Sequence, residues 1–383
     1  MPGPNSFTGE DIAELHLHGN PLICKQMLRE IFSFGVKPAE PGEFSKRAFL
    51  NGKLDLVQAE AICDLISAKS ENALEIAKDH LNGKLSGSIN TIGEPLKNTL
   101  AEIEAHIDFP EEDINPDTLT QLKTRLKNIL KEVHNLLSSY EYGILIKDGC
   151  RVLLAGVPNV GKSSLLNALL ETDRAIVTDI SGTTRDTIEE EVNIEGFKFI
   201  FCDSAGLTEN AKDAVEKIGI EKTKSKFTWA HIILFITSPD TATTSKEQNY
   251  NESILAKIKT EKAEVITISN KSDISINNDC NLSLSIKNNS DIRKLKDLLI
   301  QKVSKLKNDD MGSNIIVQER HRACLEEARK ALNIVIKGLD NNVDLEFISA
   351  DLRSALNHLQ EIVGITHIED ILGRIFSKFC IGK

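Results

Sequence analysis

Residues 156–164 read Gly156-Val157-Pro158-Asn159-Val160-Gly161-Lys162-Ser163-Ser164 and match the pattern G-x-x-x-x-G-K-S/T. The run before them, residues 151–155, is apolar and has the length of a strand. After them, leucines and an alanine recur at helical spacing over residues 165–170. A strand, a glycine loop and a helix in this order direct backbone N–H groups and a helix N-terminus at a phosphate. Lys162 adds a positive charge and Ser163 offers a hydroxyl to Mg²⁺, so the stretch predicts a nucleotide site.

Composition limits the classes of protein to which the chain can belong. Its 383 residues, 40% hydrophobic and 27% charged, are ordinary for a globular protein of about two or three domains. The net charge of −11 excludes a uniformly basic surface for nucleic acid, so any RNA contact should be local or shared with a partner. The seven cysteines form no C-x-x-C pair, which is typical of a reducing cytosol. Without a bilayer-length apolar run or a signal-peptide pattern, a cytoplasmic protein without membrane contact is expected.

Helical patterns lie on both sides of the loop. Residues 15–19 predict a strand entering a turn, and residues 21–34 predict a helix. His16 and His18 are two residues apart, so both could lie on one face of the strand and bind a metal ion. Because no third ligand is nearby, the interpretation as partly exposed strand histidines is favoured over a metal site. Apolar stripes at helical spacing predict longer amphipathic helices over residues 54–107, 119–137, 325–339 and 345–363.

Between these helical regions, strand-like and helical runs alternate. The strand-like runs are residues 152–155, 197–202, 232–236, 265–269 and 282–285. This alternation predicts a parallel sheet that is covered by helices on both faces. Helices before and after it are expected to pack together, with the α/β unit inserted between them.

Polar motifs follow the predicted strands. Asp203 ends one strand and leads into Ser204-Ala205-Gly206, as expected for a Mg²⁺ carboxylate followed by a backbone N–H that reaches the γ-phosphate. Residues 178–186, rich in Ser, Thr and Gly, lie where a switch loop belongs. Asn270-Lys271-Ser272-Asp273 selects the base, because the Asp273 carboxylate accepts from guanine N1–H and N2 whereas adenine lacks this donor pair. Ser285-Ile286-Lys287 can present backbone N–H to the guanine oxygen. GTP is therefore the predicted nucleotide.

The residue that follows Gly206 is apolar. Leu207 stands where Ras-like proteins carry the glutamine that orients the attacking water. Another polar group must take this role, and the sequence alone leaves Glu209, Glu216 and Glu221 open.

With these motifs, the chain resembles the MnmE (TrmE) family of bacterial tRNA-modification GTPases over nearly its whole length. The loop motifs are shared by many GTPases, whereas the flanking motifs are specific to the family. These are Phe7-Thr8-Gly9-Glu10-Asp11, Pro41-Gly42-Glu43-Phe44-Ser45, Asn51-Gly52-Lys53-Leu54-Asp55-Leu56 and Phe379-Cys380-Ile381-Gly382-Lys383.

The resemblance implies a multidomain protein of α/β and all-α parts. A P-loop GTPase domain (149–308) is inserted into a helical domain (53–148 and 309–383), preceded by a partial α+β folate-binding and dimerisation domain (1–52). The domain is expected to be partial because the family's glycine-rich first strand and folate-contacting arginine are missing. Ser204 replaces the usual threonine of D-T-A-G and Ile286 the usual alanine of S-A-K, and both keep the backbone contacts.

The resemblance also implies partners and cofactors. The family forms homodimers and a heterotetramer with the FAD-containing protein MnmG. Together they add a carboxymethylaminomethyl group to the wobble uridine of certain tRNAs, with a carbon from 5-formyltetrahydrofolate or a related folate. A K⁺ ion between two GTPase domains replaces an arginine finger and accelerates GTP hydrolysis.

Site residues follow from the same resemblance, position by position. The expected K⁺ ligands are Asn159, Thr178, Ile180 and Thr183, and the expected Mg²⁺ ligands are Ser163 and Thr184. Glu216 matches the glutamate that orients the water, and Cys380 a cysteine needed for modification but not for hydrolysis. Glu14, Lys53 and Lys383 match folate contacts. The nucleotide site comprises Asn159, Val160, Gly161, Lys162, Ser163, Ser164, Thr178, Asp179, Ile180, Ser181, Gly182, Thr183, Thr184, Asp203, Ser204, Ala205, Gly206, Asn270, Lys271, Ser272, Asp273, Ser285, Ile286 and Lys287.

Two other functions share the GTPase motifs. One is a GTP-dependent scaffold without modification chemistry, and the other is a ribosome-assembly GTPase. The folate-type flanking motifs favour the modification enzyme over both.

Overall fold

The computed structural model describes residues 1–109, 116–172, 189–203, 227–239, 263–275, 280–307, 314–365, 369–377 and 379. The helices in these ranges are α1 (Pro21–Ser33), α2 (Glu43–Leu50), α3 (Leu56–Ser67), α4 (Glu71–Leu81), α5 (Lys84–Asp108), α6 (Pro116–Ser138), α7 (Tyr140–Asp148), α8 (Lys162–Thr172), α9 (Asn289–Ser304), α10 (Glu319–Asp340), α11 (Leu345–Val363) and α12 (Glu369–Phe376). The strands are β1 (Cys150–Ala155), β2 (Glu189–Ile194), β3 (Phe197–Asp203), β4 (Ile232–Thr237), β5 (Glu264–Ser269) and β6 (Leu282–Ser283).

The chain forms two compact units. Unit 1 contains Met1–Ala68, Leu74–Tyr140 and Asp309–Lys383, and unit 2 contains Lys69–Ala73 and Glu141–Asn308. Unit 1 is helical in the parts that the structure describes, whereas unit 2 holds the sheet. The two kinds of periodicity in the sequence therefore separate into two different cores.

The sheet of unit 2 has the strand order β2-β3-β1-β4-β5-β6. β1 lies between β3 and β4 and pairs in parallel with both, with Val152 opposite Phe201 on one side and Ile232 on the other. Its residues from Val152 to Ala155 are at most 1% exposed. Burial on both faces explains why this strand reads as a continuous apolar run. The parallel order also brings the carboxyl ends of β1, β3, β4 and β5 to one edge.

One strand departs from the predicted all-parallel sheet. β2 pairs with β3 in antiparallel orientation, with Ile194 opposite Phe197. The sequence did not predict it, because Glu189, Glu190 and Glu191 hide the strand pattern. An edge strand tolerates these carboxylates, since one side of its ladder is open to solvent. The other five strands overlap the predicted runs, although β6 ends at Ser283 rather than at residue 285.

The core of unit 1 lies between four long helices. Leu96 of α5, Leu126 of α6, Leu332 of α10 and Leu352 of α11 are all 0% exposed and belong to one cluster. The apolar stripes predicted over residues 325–339 and 345–363 are confirmed as α10 and α11. Burial of such a stripe supplies most of the stability of a helix in a protein, since propensity alone is weak.

The N-terminal region differs from the prediction of a partial α+β fold. The helix predicted over residues 21–34 is confirmed as α1, but the strand predicted over residues 15–19 is wrong. No β-strand is present in residues 1–52, where α1 and α2 are the regular elements. A strand needs a neighbour for its backbone N–H and C=O groups, and this segment has none, so Leu15 is left 61% exposed.

Among the residues that the structure describes, no helix is both long and apolar enough to span a membrane.

Candidate functional site

The loop between β1 and α8 is shaped by two glycines. Gly156 has φ +148°, and a Cβ atom there would lie 2.2 Å from the carbonyl oxygen of Ile236. Gly161 has φ +96°, and its Cβ would lie 2.4 Å from Nδ2 of Asn270. Both backbone positions exclude any side chain. Asn159 between them also has a left-handed backbone, with φ 67°, which asparagine tolerates better than most residues.

The lysine of the loop is held by the loop's own backbone. Lys162 is 6% exposed, and its Nζ donates to the carbonyl oxygens of Gly156 and Val157, both at 3.0 Å. Burial lowers the pKa of Lys162, and the carboxylate of Asp203 opposes this shift. A buried ammonium group that faces carbonyl oxygens is well suited to attract the negative charge of a phosphate.

Two of the three protein groups predicted for Mg²⁺ meet at the edge of the sheet. Oγ of Ser163, at the start of α8, donates to Oδ2 of Asp203, at the end of β3, at 2.9 Å. A hydroxyl and a carboxylate are the oxygen ligands that Mg²⁺ prefers, and Mg²⁺ commonly takes further ligands from a substrate phosphate. Within the described residues, no group of three or more His, Cys, Asp or Glu side chains could hold a metal ion. The Ser163–Asp203 pair supplies two oxygen ligands and leaves other positions for phosphate oxygens, so these residues fit an ion that binds together with a nucleotide.

Asn270 connects the phosphate loop to the following loop. It is 2% exposed, and its Nδ2 donates to the carbonyl oxygen of Val160 at 2.8 Å. Its Oδ1 accepts from the N–H of Lys271 at 2.8 Å. Lys271 has φ 61°, so the chain turns sharply after β5. One buried amide thus fixes two loops from different strands.

Asp273 is exposed, and its neighbours stabilise its carboxylate form. Its two carboxylate oxygens accept from Oγ of Ser285 at 3.0 Å and from Nζ of Lys287 at 3.1 Å. The hydrogen bond from Lys287, followed by that from Ser285, lowers the pKa of Asp273. The carboxylate is an acceptor at neutral pH, as recognition of guanine N–H groups requires.

The remaining described members of the predicted site border the same loops. Val160 is buried in the phosphate loop, and Ser164 is exposed on the first turn of α8. The N–H of Ser272 donates to the Leu284 carbonyl oxygen at 3.1 Å, which joins the loops that follow β5 and β6. Ile286 lies over the phosphate loop, with its Cδ1 3.3 Å from the position of a Cβ on Gly161.

Sequence patterns did not point to one supporting residue, Asp291. Its Oδ2 accepts from the N–H of Ser285 at 3.1 Å, and Lys294 pairs with its other oxygen at 2.9 Å. Asn288 caps α9 by accepting from the N–H of Ser290 at 3.1 Å. The available signal was the capping pattern Asn288-x-x-Asp291 directly after the Ser-Ile-Lys motif.

Comparison with known proteins decides the family. A family model described as "MnmE helical domain" matches residues 56–380, and one described as "GTP-binding protein TrmE N-terminus" matches residues 1–53. The tRNA modification GTPase MnmE of Akkermansia muciniphila is 40% identical over 100% of this chain and 84% of its own length. The chain belongs to the MnmE family. The MnmE protein of Aquifex aeolicus is 41% identical, over 99% of this chain and 85% of its own length.

Solved structures give a weaker match than the MnmE sequences do. A variant of Era from Aquifex aeolicus bound to GDP·AlF4⁻ is 23% identical, covering 47% of this chain and 66% of its own, with a TM-score of 0.30. A TM-score this low supports no conclusion about shared function.

Several residues expected from the MnmE family lie outside the described ranges. These are Thr178, Asp179, Ile180, Ser181, Gly182, Thr183, Thr184, Ser204, Ala205, Gly206, Glu216, Cys380 and Lys383. Their roles in K⁺, Mg²⁺ and folate binding, in water activation and in modification therefore stay predictions.

Two expected folate contacts of the MnmE family are described, and both are exposed. Glu14 pairs with His16 at 3.5 Å, and the side chain of Lys53 runs past Gly9. No ion pair joins Glu14 to Lys53 within the described residues. The structure thus assigns them separate neighbours in residues 1–53.

Proposed function

We propose that this protein is a K⁺-stimulated GTP hydrolase that acts in wobble-uridine modification of tRNA. The observation that carries this proposal is the meeting of Lys162, the Ser163–Asp203 pair and Asn270 at the carboxyl ends of the parallel strands of one sheet. Phosphoryl transfer depends mainly on positioning and charge stabilisation, which these groups can supply. MnmE relatives at 40% and 41% identity are named tRNA modification GTPases, which supports the same activity for this chain.

Each end of the nucleotide has its own group of residues in the proposed complex. Lys162 and the loop N–H groups bind the phosphates, and Ser163 with Asp203 would hold Mg²⁺, which neutralises phosphate charge when bound. Asp273 accepts hydrogen bonds from guanine N1–H and N2, and so disfavours adenine. Because Asn270 joins the two groups, its amide keeps the phosphate and base ends at a fixed separation.

Hydrolysis itself depends on residues that complete this site. Asn159 is exposed in the loop with a left-handed backbone, which supports its proposed role as a K⁺ ligand together with Thr178, Ile180 and Thr183. Thr184 is the proposed second Mg²⁺ ligand, and Glu216 the residue that orients the attacking water. The K⁺ ion would lie between the GTPase domains of a homodimer, where it replaces an arginine finger.

The domain arrangement proposed for the chain follows the MnmE family. Residues 149–308 form the GTPase domain, inserted into a helical domain of residues 53–148 and 309–383. Residues 1–52 belong to the folate-binding and dimerisation domain. Glu14 of this domain, with Lys53 and Lys383 of the helical domain, would contact 5-formyltetrahydrofolate or a related folate. Cys380 would serve the carboxymethylaminomethylation step, together with the FAD-containing partner MnmG in a cytoplasmic heterotetramer.

The proposal is tested by the ion dependence of hydrolysis. Initial rates of GTP hydrolysis are measured in KCl and in NaCl at equal ionic strength. We expect K⁺ to accelerate hydrolysis roughly tenfold or more, because a cation at the transferring phosphate stabilises the transition state. Asn159→Gly should lose most of this stimulation and keep the Na⁺ rate, since glycine retains the left-handed backbone without the side-chain oxygen.

The matched control is Asn342→Gly. Asn342 also has a left-handed backbone, with φ 51°, but lies in unit 1. Its variant should respond to K⁺ as the wild-type protein does. Equal hydrolysis rates in K⁺ and Na⁺ for the wild-type protein would contradict the proposed function.

A further inference from the structure

The last described residues of the chain are anchored on the N-terminal region of unit 1. Phe376 and Phe379 are 3% and 6% exposed, and their ring centroids are 5.2 Å apart. They share a cluster with Leu56 and Ala59 of α3 and with Leu372 of α12. We call these five residues the C-terminal cluster. Burial of these two aromatic rings in the cluster anchors them against α3.

Phe376 and Phe379 pack closely against Gly42. Its φ is +69°, and a Cβ atom there would lie 2.9 Å from the carbonyl oxygen of Phe376 and 2.9 Å from Cβ of Phe379. The first of these atoms is backbone, which cannot rotate away. Gly35 provides a contrast, because its φ is +83° but no atom lies within 4 Å of the place that a Cβ would take. Gly42 is therefore required for close approach as well as for backbone conformation.

The turn that carries Gly42 is held by hydrogen bonds on both sides. The N–H of Glu40 donates to Oε2 of Glu43 at 2.8 Å, and the N–H of Glu43 donates to the Glu40 carbonyl oxygen at 3.2 Å. Arg47 then links Glu43 to Glu10, at 2.5 Å and 3.0 Å. A turn closed in this way can act as a fixed support, because its backbone has few alternative conformations.

A second glycine, Gly364, also lies too close to its neighbours to carry a side chain. Gly364 ends α11 with φ +85°, and a Cβ there would lie 2.8 Å from Cε2 of Phe49 and 2.9 Å from Cβ of Leu56. Gly364 thus packs against residues of α2 and α3, and Phe379 packs against α3 and against Gly42, which precedes α2. Close contacts therefore occur both at Gly364 and at Phe379.

We propose that Gly42 and Phe379 are positioning residues for the tRNA-modification step, because their contact holds Phe379, the residue that precedes Cys380 in the chain. The inference rests on the proposed function, in which Cys380 serves that step. Consecutive Cα atoms are about 3.8 Å apart, so an anchored Phe379 sets the reach of the next residue. A misplacement of about 1 Å at a reacting group can lower a rate by about 100-fold. Both residues belong to unit 1, whereas the described residues of the nucleotide site belong to unit 2.

The experiment compares Gly42→Ala with the matched control Gly35→Ala. Amide hydrogen exchange of residues 372–379 is measured by mass spectrometry in the full chain. In the wild-type protein the N–H groups of Ser377 and Phe379 donate to the carbonyl oxygens of Gly373 and Phe376 at 3.1 Å and 3.0 Å. We expect these amides to exchange roughly tenfold faster in Gly42→Ala, since the added methyl group displaces the anchor, and at the wild-type rate in Gly35→Ala.

The same variants are assayed for activity with the FAD-containing partner, the folate and tRNA. In Gly42→Ala we expect the wobble modification rate at saturating partner to fall roughly tenfold or more, with GTP hydrolysis and the apparent affinity for the partner unchanged. A merely structural defect would weaken all three. Phe379→Ser should reproduce the loss, and Phe379→Leu should retain most of the modification, which keeps the test valid if Gly42→Ala folds poorly. Wild-type modification rates in both Gly42→Ala and Phe379→Ser would overturn the inference, whereas a wild-type protein that modifies no tRNA would overturn the proposed function itself.

Discussion

At the scale of single residues, the site depends on a few buried polar groups. The hydrogen bond between Asn270 Nδ2 and the Val160 carbonyl oxygen measures 2.8 Å and is buried. Gly161 must lack a side chain because this same amide occupies the space of its Cβ. The motif predicted that Asn270 belongs to the nucleotide site, but not that it determines the identity of residue 161. Such packing follows from two loops that are distant in sequence and meet only in the folded sheet.

We predict that Asn270→Ala weakens GDP binding by roughly 10- to 100-fold. The change removes the buried hydrogen bond and leaves the Val160 carbonyl oxygen without this donor, which costs about 1–3 kcal/mol. Binding is measured by titration with a fluorescent GDP analogue. Asn281→Ala is the control, because Asn281 is exposed and accepts from the N–H of Thr267 at 2.8 Å, remote from the phosphate loop. An affinity of Asn270→Ala within twofold of the wild-type protein would contradict the structural role of this amide.

At the scale of elements, prediction succeeded where a segment carries its own packing signal. α10 and α11 were predictable because each buries a long apolar stripe. β2 was not, because its acidic residues mask the alternation that Val192 and Ile194 provide. The predicted strand at residues 15–19 failed for the opposite reason, since its alternation is present but no neighbouring strand pairs with it. Strand formation depends on partners that a local pattern does not contain.

A two-residue turn, Glu195-Gly196, joins β2 to β3. Glu195 and Gly196 have φ 47° and φ 82°, which is typical of a type I′ turn. Asparagine is strongly preferred over glutamate at the first of these positions, because it tolerates the left-handed backbone. Because of Glu195, the turn lacks the Asn-Gly pair that would have marked the hairpin in the sequence.

We predict that Glu195→Asn stabilises unit 2 by roughly 0.5–1 kcal/mol, since it relieves part of the strain of a left-handed glutamate. Urea unfolding is followed by the fluorescence of Trp229, which is the single tryptophan of the chain and lies in unit 2. Glu190→Asn removes the same charge from within β2 and should give no gain, because asparagine is disfavoured in strands. Equal stabilisation by both variants would assign the effect to charge and not to the turn.

At the scale of the whole molecule, unit 1 joins distant parts of the chain through a buried charge cluster. Arg320 of α10 donates to both carboxylate oxygens of Glu60 in α3, at 2.9 Å, and to the carbonyl oxygens of Glu361 and Ile362 at the end of α11, at 2.8 Å. Burial would raise the pKa of Glu60, but His321 and Arg320 outweigh it and lower the pKa to about 2. The sequence could not reveal this cluster, because Glu60 lies more than 200 residues from its partners and each member resembles an ordinary surface charge.

A buried histidine beside this cluster makes the stability of unit 1 depend on pH. His80 is 3% exposed, and its Nε2 lies 2.8 Å from the Ile315 carbonyl oxygen. Burial, together with the nearby His321, lowers the pKa of His80 to about 4, although Ile315, Asp64 and Glu60 oppose the shift. Between this value and the unfolded value of about 6.5, the unfolded chain binds more protons than the folded one. The contribution of His80 to the stability of unit 1 is therefore present in full above a pH of about 6.5, and it is lost as the pH falls towards 4.

We predict that His80 alone lowers the free energy of unfolding of unit 1 by up to about 3 kcal/mol as the pH falls over this range, and that His80→Gln removes this contribution. Burial also lowers the pKa of His321, so the dependence that His321 contributes should remain in the variant. Glutamine keeps an N–H donor for the Ile315 carbonyl oxygen but does not titrate. Because Trp229 reports on unit 2, unfolding of unit 1 is followed by hydrogen exchange in α10 and α11 at increasing urea. His16→Gln, at a side chain that is 89% exposed, serves as the control and should leave the pH dependence intact. If His80→Gln and the wild-type protein lose the same stability between these pH values, the acid sensitivity belongs to another group, and His321 in the same cluster becomes the next residue to substitute.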